Sequence, residues 1–332
     1  MAPAPSFPSA TTRRRRTRWR GSCLRPGTQS GRAEDEPIQT IAAQSELVYF
    51  WSGLSQTYQR GRPCLDSRTV PSVERLAPSY NVHPVFDEPP SDTVLWRYMD
   101  LSRFLALLER RALYMSAVSR FSDPFEGTMT HALRAQVEAR GKNHAREWAS
   151  WRIATYVNCW NQDIEESVAL WSMYSTSHGG VAIRSSVGAI KSALDPNGGS
   201  RGNELYIGRV RYVDFDTVTM PEDNTLWPVV HKRLPYRFEQ EIRVVMWART
   251  LVWYAQGEAE SAGREWPDVL RKLVPPGFDV AIEPNALVQA VVVAPDAPDW
   301  LLELVRALAA RYGLAASVER SRLDAPPALL DG

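Results

Sequence analysis

The stretch Lys232–Trp247, KRLPYRFEQEIRVVMW, carries the densest set of side chains able to do chemistry. Read as a strand, its side chains alternate between two faces. Ile242, Val244 and Met246 make one wholly apolar face, and Glu239, Glu241 and Arg243 project from the other. Two carboxylates in one cleft raise one another's pKa, which suits general acid–base or charge-stabilising work. The same row on an open surface is a salt-bridge ladder of little energetic weight. The strand pattern accommodates both readings. Lys232, at the head of the stretch, adds a cation.

Two further segments qualify. Trp171-Ser172-Met173-Tyr174 precedes His178-Gly179-Gly180-Val181-Ala182-Ile183, so an aromatic helix end runs through a glycine turn into an apolar strand. Glycine lets backbone approach a ligand there, although packing aromatics and an ordinary turn explain the same residues. His178 has no partner histidine nearby and reads as an exposed turn residue. The third segment couples Arg97-Tyr98 with Phe121-Ser122-Asp123-Pro124-Phe125-Glu126. Arg97, if turned inward, is an anion-binding candidate. Asp123 before proline is either a site residue or the head of an Asx turn. Asp123, Glu239 and Glu241 would together suit a metal-dependent phosphoesterase if their oxygens converged on one ion. No P-loop, G-x-G-x-x-G, G-x-S-x-G, H-E-x-x-H or kinase signature occurs, which argues against those enzyme classes.

These residues need elements to hold them. Val94–Tyr98 predicts a strand, and Asp100 caps a helix whose apolar stripe is Leu101, Phe104, Leu105 and Leu108. Leu113–Ser116 predicts a strand, residues 129–150 one long polar helix, and Tyr156–Trp160 a strand. A helix over Glu166–Tyr174 follows, then strands at Gly180–Arg184, Leu205–Tyr212, Glu241–Trp247 and Ala290–Ala294, and a closing helix stopped by Gly313. Strands and helices mix without strict alternation. That pattern predicts an α+β domain built on one curved, mixed sheet flanked by helices.

The chain has 332 residues, 44% hydrophobic and 23% charged, with twelve tryptophans that belong mostly in a core and partly in a cleft. Cys23, Cys64 and Cys159 are too scattered for a zinc knuckle or a disulfide framework. No apolar run reaches the ~18 residues of a membrane span, so the expectation is a cytoplasmic protein without membrane contact. Residues 1–32 hold eight arginines and no acid; without them 31 basic face 38 acidic residues. A body of net −7 makes a poor nucleic-acid surface. The basic tail, residues 1–40, is expected to be disordered, as a nucleic-acid arm, a transit segment or a solvated extension. Residues 41–92 read as a proline-rich linker with a short helix at Ile41–Leu54, residues 93–323 as the folded domain, and residues 324–332 as a terminal tail.

In order, LWRYMD, LYMSAVSRFSDPFEG, NCW, LWSMYSTSHGGVAI, VRY, KRLPYRFEQEIRVV and ALVQAVVVAP resemble the blocks of the bacterial domain-of-unknown-function family 2971. Two departures are Ser122 at the head of the D-P-F block and the absence of tryptophan near Tyr236. The residues matching family motifs are Asp123, Glu126, Trp171, Tyr174, Lys232, Glu239, Glu241 and Arg243. That family brings a fold expectation and no established activity. More loosely, an Arg-bearing strand, a helix leading to a short strand, an aromatic central element and a late Glu-bearing strand resemble ADP-ribosyltransferase-like proteins. This resemblance implies an enzyme using NAD, possible roles in stress or phage defence, Arg97 as pyrophosphate anchor, Tyr174 or Trp171 stacking nicotinamide, and Glu241 as the catalytic carboxylate. A non-catalytic ligand-sensing or interaction module is the competing class.

Overall fold

Strand β2 (Val94–Asp100) and strand β4 (Thr155–Gln162) set the architecture, because the site forms where they part. The computed structural model describes residues 78–174, 179–194 and 203–325, all within the compact unit Gly61–Gly332. The expected tail 1–40, the helix at Ile41–Leu54 and His178 lie outside the described residues. The remaining strands are β1 (Pro78–Tyr80), β3 (Ala112–Ala117), β5 (Gly180–Ser186), β6 (Asn203–Arg209), β7 (Arg211–Val213), β8 (His231–Arg233), β9 (Glu241–Trp247), β10 (Gly277–Ala281), β11 (Ala290–Val293) and β12 (Ser317–Arg320). The main sheet has ten strands in the order β1-β6-β9-β4-β2-β5-β11-β12, with β3 on β4 and β10 on β3. Its β1–β6 and β11–β12 pairs are parallel and its other pairs antiparallel, so the sheet is mixed. Strands β7 and β8 form a separate parallel pair. The α+β expectation holds.

One face of the sheet carries the main core. Ile242, Val244 and Met246 of β9 join Tyr156 and Trp160 of β4 there. Helix α1 (Leu101–Arg110) covers this face. Its N-cap Asp100 accepts the Arg103 N–H at 2.8 Å, and Phe104, Leu107 and Leu108 are buried, whereas Leu105 is exposed. Helices α5 (Val187–Leu194), α6 (Arg249–Ala262) and α9 (Asp299–Arg311) add buried residues to the same core. The other face of β9 packs Val245 with Val157, Tyr206, Phe86 and Val229. Both faces of this strand are therefore buried.

Several boundaries differ from the sequence reading. The domain starts before Thr93: β1 pairs with β6, and Val85 and Phe86 are buried against the sheet. The long helix of residues 129–150 is two, α2 (His131–Ala139) and α3 (Lys142–Trp151), broken at Gly141, whose φ of 119° is a glycine conformation. The strand expected over Leu205–Tyr212 divides into β6 and β7, which belong to different sheets. Helix α4 spans Val168–Tyr174. Helices α7 (Trp266–Leu273) and α8 (Pro284–Leu287) complete the fold. No helix among the described residues is long and apolar enough to cross a membrane.

Candidate functional site

Strand β4 is paired with β9 from Thr155 to Asn161. On its other edge it is shared. Its far end pairs with β2 at Leu95↔Gln162 and Trp96↔Asn161, and its near end with β3 at Ser116↔Val157 and Ala117↔Tyr156. Between these ladders β2 and β3 diverge, and Asn158, Cys159 and Trp160 face the gap. Helix α1, which joins the two strands, adds Arg103, Ala106 and Arg110 to the cleft that results, a space of about 690 Å³. A split sheet thus creates a cleft inside an otherwise continuous core.

Eight sequence-predicted residues line this cleft: Arg97, Tyr98, Asp123, Glu126, Tyr174, Lys232, Glu239 and Glu241. Trp171 and Arg243 do not. Trp171 is buried edge-on against Tyr98, ring centroids 4.9 Å apart, and its indole donates to Glu166 at 2.9 Å, so it is packing rather than a stacking platform. Arg243 lies beneath the cleft floor and is 0% exposed.

The carboxylates are gathered around two cations. Lys232 Nζ stands 2.9 Å from Glu126 Oε1, 2.5 Å from Glu239 Oε2 and 3.2 Å from Glu241 Oε2. Arg243 donates from Nε to Glu241 Oε1 at 2.8 Å, from its terminal nitrogens to Glu126 Oε2 at 2.6 Å and Glu241 Oε2 at 3.1 Å, and to the Val229 carbonyl at 2.6 Å. The open salt-bridge ladder is excluded by this burial. Glu239 is also not on the strand: it ends the 3₁₀ turn Leu234–Glu239, and Gln240, at φ 40°, swings the chain into β9. The two carboxylates meet through this turn and through Lys232, not through strand alternation.

Electrostatics separates them. Burial raises the Glu241 pKa, but Arg243 and Lys232, with hydrogen bonds from Arg243 and the Cys159 thiol, outweigh it and hold the group at about 2. Glu239, with Lys232 alone as its ion-pair partner among the described residues, is pushed up by desolvation and by the nearby Glu241 and Glu126 charges. Desolvation opposes the Lys232 charge, yet the three carboxylates raise its pKa and keep it an ammonium. The Cys159 thiol is raised well above its usual range by burial and then by Glu241, which makes it a hydrogen-bond donor rather than a thiolate nucleophile.

The cleft lining also carries arginines. Arg97, half-buried, lies 5.9 Å over the Trp160 ring and has no carboxylate within ion-pairing distance among the described residues. Burial lowers its pKa to about 10, so it remains charged at neutral pH. An unpaired guanidinium in a cleft is an anion site in waiting. Tyr174 stands on the rim with 41% of its surface open. Desolvation and the Glu239 charge still push its phenol up to about 12, which places it beside the carboxylates. Asp123 is clamped by Arg233 at 3.0 and 3.2 Å and also accepts the Phe125 N–H at 3.1 Å. It is an Asx-turn residue and an ion-pair partner at once.

The sequence reading missed the contribution of β4. Its polar run Asn158-Cys159-Trp160-Asn161 inside a buried central strand was the available signal, since burying amides costs stability unless they are bonded. Asn158 donates to the Tyr114 carbonyl at 2.9 Å and Asn161 to the Glu239 carbonyl at 2.7 Å, so each amide ties the strand to a cleft wall.

Gly127 fixes the Glu126 end of the network. Its φ is +66°, and a Cβ there would meet Val118 Cγ1 at 2.4 Å. Gly127→Ala is expected to lower stability by about 1–3 kcal/mol, measured by urea denaturation. An unchanged midpoint would mean that the turn relaxes freely.

Comparison with protein families, curated proteins and solved structures returns no match. The site's own chemistry therefore carries the functional argument.

Proposed function

We propose that the cleft binds a nucleotide of NAD type and that the protein is an enzyme acting at its glycosidic bond, in the manner of ADP-ribosyltransferases. One observation carries this reading: an unpaired guanidinium, Arg97, shares a cleft with two carboxylates, Glu239 and Glu241. The guanidinium suits a pyrophosphate. An ionised carboxylate in a site of low dielectric stabilises the positive charge that develops on ribose as the glycosidic bond breaks. The exposed ring of Tyr174 offers a face for the leaving base. The ordered blocks across residues 93–323 support grouping the protein with the bacterial family 2971, and a cytoplasmic location accords with there being no helix among the described residues long and apolar enough to cross a membrane.

A non-catalytic sensor is the second reading, favoured by the fact that Glu126 and Glu241 are fully ion-paired, as an architectural network would be. A metal-dependent phosphoesterase loses support on charge grounds. Lys232 Nζ occupies the point where Glu126, Glu239 and Glu241 converge, while Asp123 is turned to Arg233. Among the described residues no cluster of three His, Cys, Asp or Glu side chains could hold a metal ion.

Calorimetric titration with ADP-ribose, ADP and NAD tests the reading. Arg97→Ala should weaken all three by roughly 10- to 100-fold, the loss expected for a charge-assisted hydrogen bond to phosphate. Release of nicotinamide from NAD separates enzyme from sensor. No binding of any of the three to the wild type would overturn the proposal.

A further inference from the structure

Counting hydrogen-bond capacity in the carboxylate cluster distinguishes its members. Glu126 uses Oε1 on Lys232 and Oε2 on Arg243. Glu241 uses Oε1 on Arg243 and Oε2 on both Arg243 and Lys232. The three ammonium protons of Lys232 face three carboxylates, leaving it no donor for a ligand. Arg243 makes four hydrogen bonds to Glu241, Glu126 and the Val229 carbonyl and is wholly buried, out of a ligand's reach. Glu239 differs. Its Oε2 meets Lys232, its backbone carbonyl holds Asn161, and its Oε1 has no hydrogen-bond or ion-pair partner among the described residues, although the side chain lines the cleft. Nor is that oxygen among the buried, partnerless side-chain atoms, so it is open to the cleft.

We infer that Glu239 is the carboxylate that touches the ligand, accepting a hydrogen bond from a ligand hydroxyl, and that Glu241 is a positioning residue acting through Lys232. This rests on the nucleotide reading above and divides the labour within that site. A carboxylate oxygen can accept more than one hydrogen bond, but an oxygen that no charged neighbour already engages is the strongest acceptor left for a ligand, and within this trio Glu239 Oε1 is the one without a partner among the described residues. The hydroxyl it takes is that of the ribose end, since Arg97, in the lining of the same cleft, takes the phosphates.

The test uses ADP, which offers phosphates, and ADP-ribose, which adds a second ribose. Glu239→Gln should weaken ADP-ribose by about 10-fold or more and leave ADP within about twofold, and Glu239→Asp should recover part of the loss. Glu241 enters through a pH profile. Lys232 of β8, Glu241 of β9, Glu126, Tyr174 of α4 and Tyr212 of β7 all act on or near Glu239. Removing the Glu241 charge in Glu241→Gln lowers the Glu239 pKa, so the acid limb of ADP-ribose affinity should move to lower pH, which a merely structural role would not do. If Glu241→Gln does not fold, the Glu239 pair decides alone. Unchanged ADP-ribose affinity in Glu239→Gln, with ADP still bound, would overturn this inference and spare the nucleotide reading. Failure of both ligands on the wild type would remove both.

Discussion

Replacing Arg243 by leucine is expected to destabilise the protein by about 3–5 kcal/mol, enough to unfold a marginal domain. The guanidinium is buried on the strand that runs between β4 and β6, and it neutralises Glu241 and Glu126 while satisfying the Val229 carbonyl. Leucine removes a cation and its donors but leaves the carboxylates in place, with only Lys232 to share. The cost is that of uncompensated buried charge rather than of lost packing. Adding Glu241→Gln to the variant should therefore recover part of the loss. The measurement is the urea midpoint of each variant. A loss below about 1 kcal/mol in the single variant would mean that water reaches the cluster and that it is not the closed network described here.

Lys232→Met should cost a similar amount at pH 7, and it should recover more stability than the wild type does as the pH falls from 7 to 5. In the wild type the Glu241 pKa is depressed to about 2. The stability this provides is present above the unfolded value near 4.5 and is lost as pH falls toward 2. In the variant Glu239 loses the one ion-pair partner it has among the described residues, so its pKa, already raised, rises further. A carboxylate with a raised folded-state pKa favours the folded state when protonated. Its penalty is therefore relieved as pH falls through that value. Between pH 7 and pH 5 the variant should regain more stability than the wild type, in which Lys232 holds the Glu239 shift smaller. Urea denaturation at the two pH values tests the contrast, and parallel slopes would refute it.

What could be read in the sequence depended on whether local pattern sufficed. The apolar alternation Ile242, Val244, Met246 identified the core face of β9, because side-chain direction along a strand is set by the backbone alone. The Asp100 cap was equally local. The break between α2 and α3 at Gly141 was missed because a glycine inside a helical pattern stops a helix only when tertiary contacts take over. The start of the domain was misplaced because β1 is three residues long and exists only through its parallel pairing with β6.

For the site, the sequence alone determined which groups could act: Arg97, Asp123, Glu126, Tyr174, Lys232, Glu239 and Glu241 carry charge or polar aromatic character beside strand ends and turns. It also placed Glu241 opposite the apolar face. Tertiary structure decided the rest. The cleft exists because β2 and β3 pair with opposite ends of one edge of β4 and part between them, a matter of register between segments some twenty residues apart and a third strand. The same packing turned Trp171 into core and sent Arg243 beneath the floor. It also left Glu239 Oε1 without a hydrogen-bond partner and the Arg97 guanidinium without a carboxylate partner among the described residues, both in the lining of the one cleft. Whether a charged side chain is consumed by its neighbours or left for a ligand depends on distances of about 3 Å between residues remote in the chain, and no local pattern encodes them.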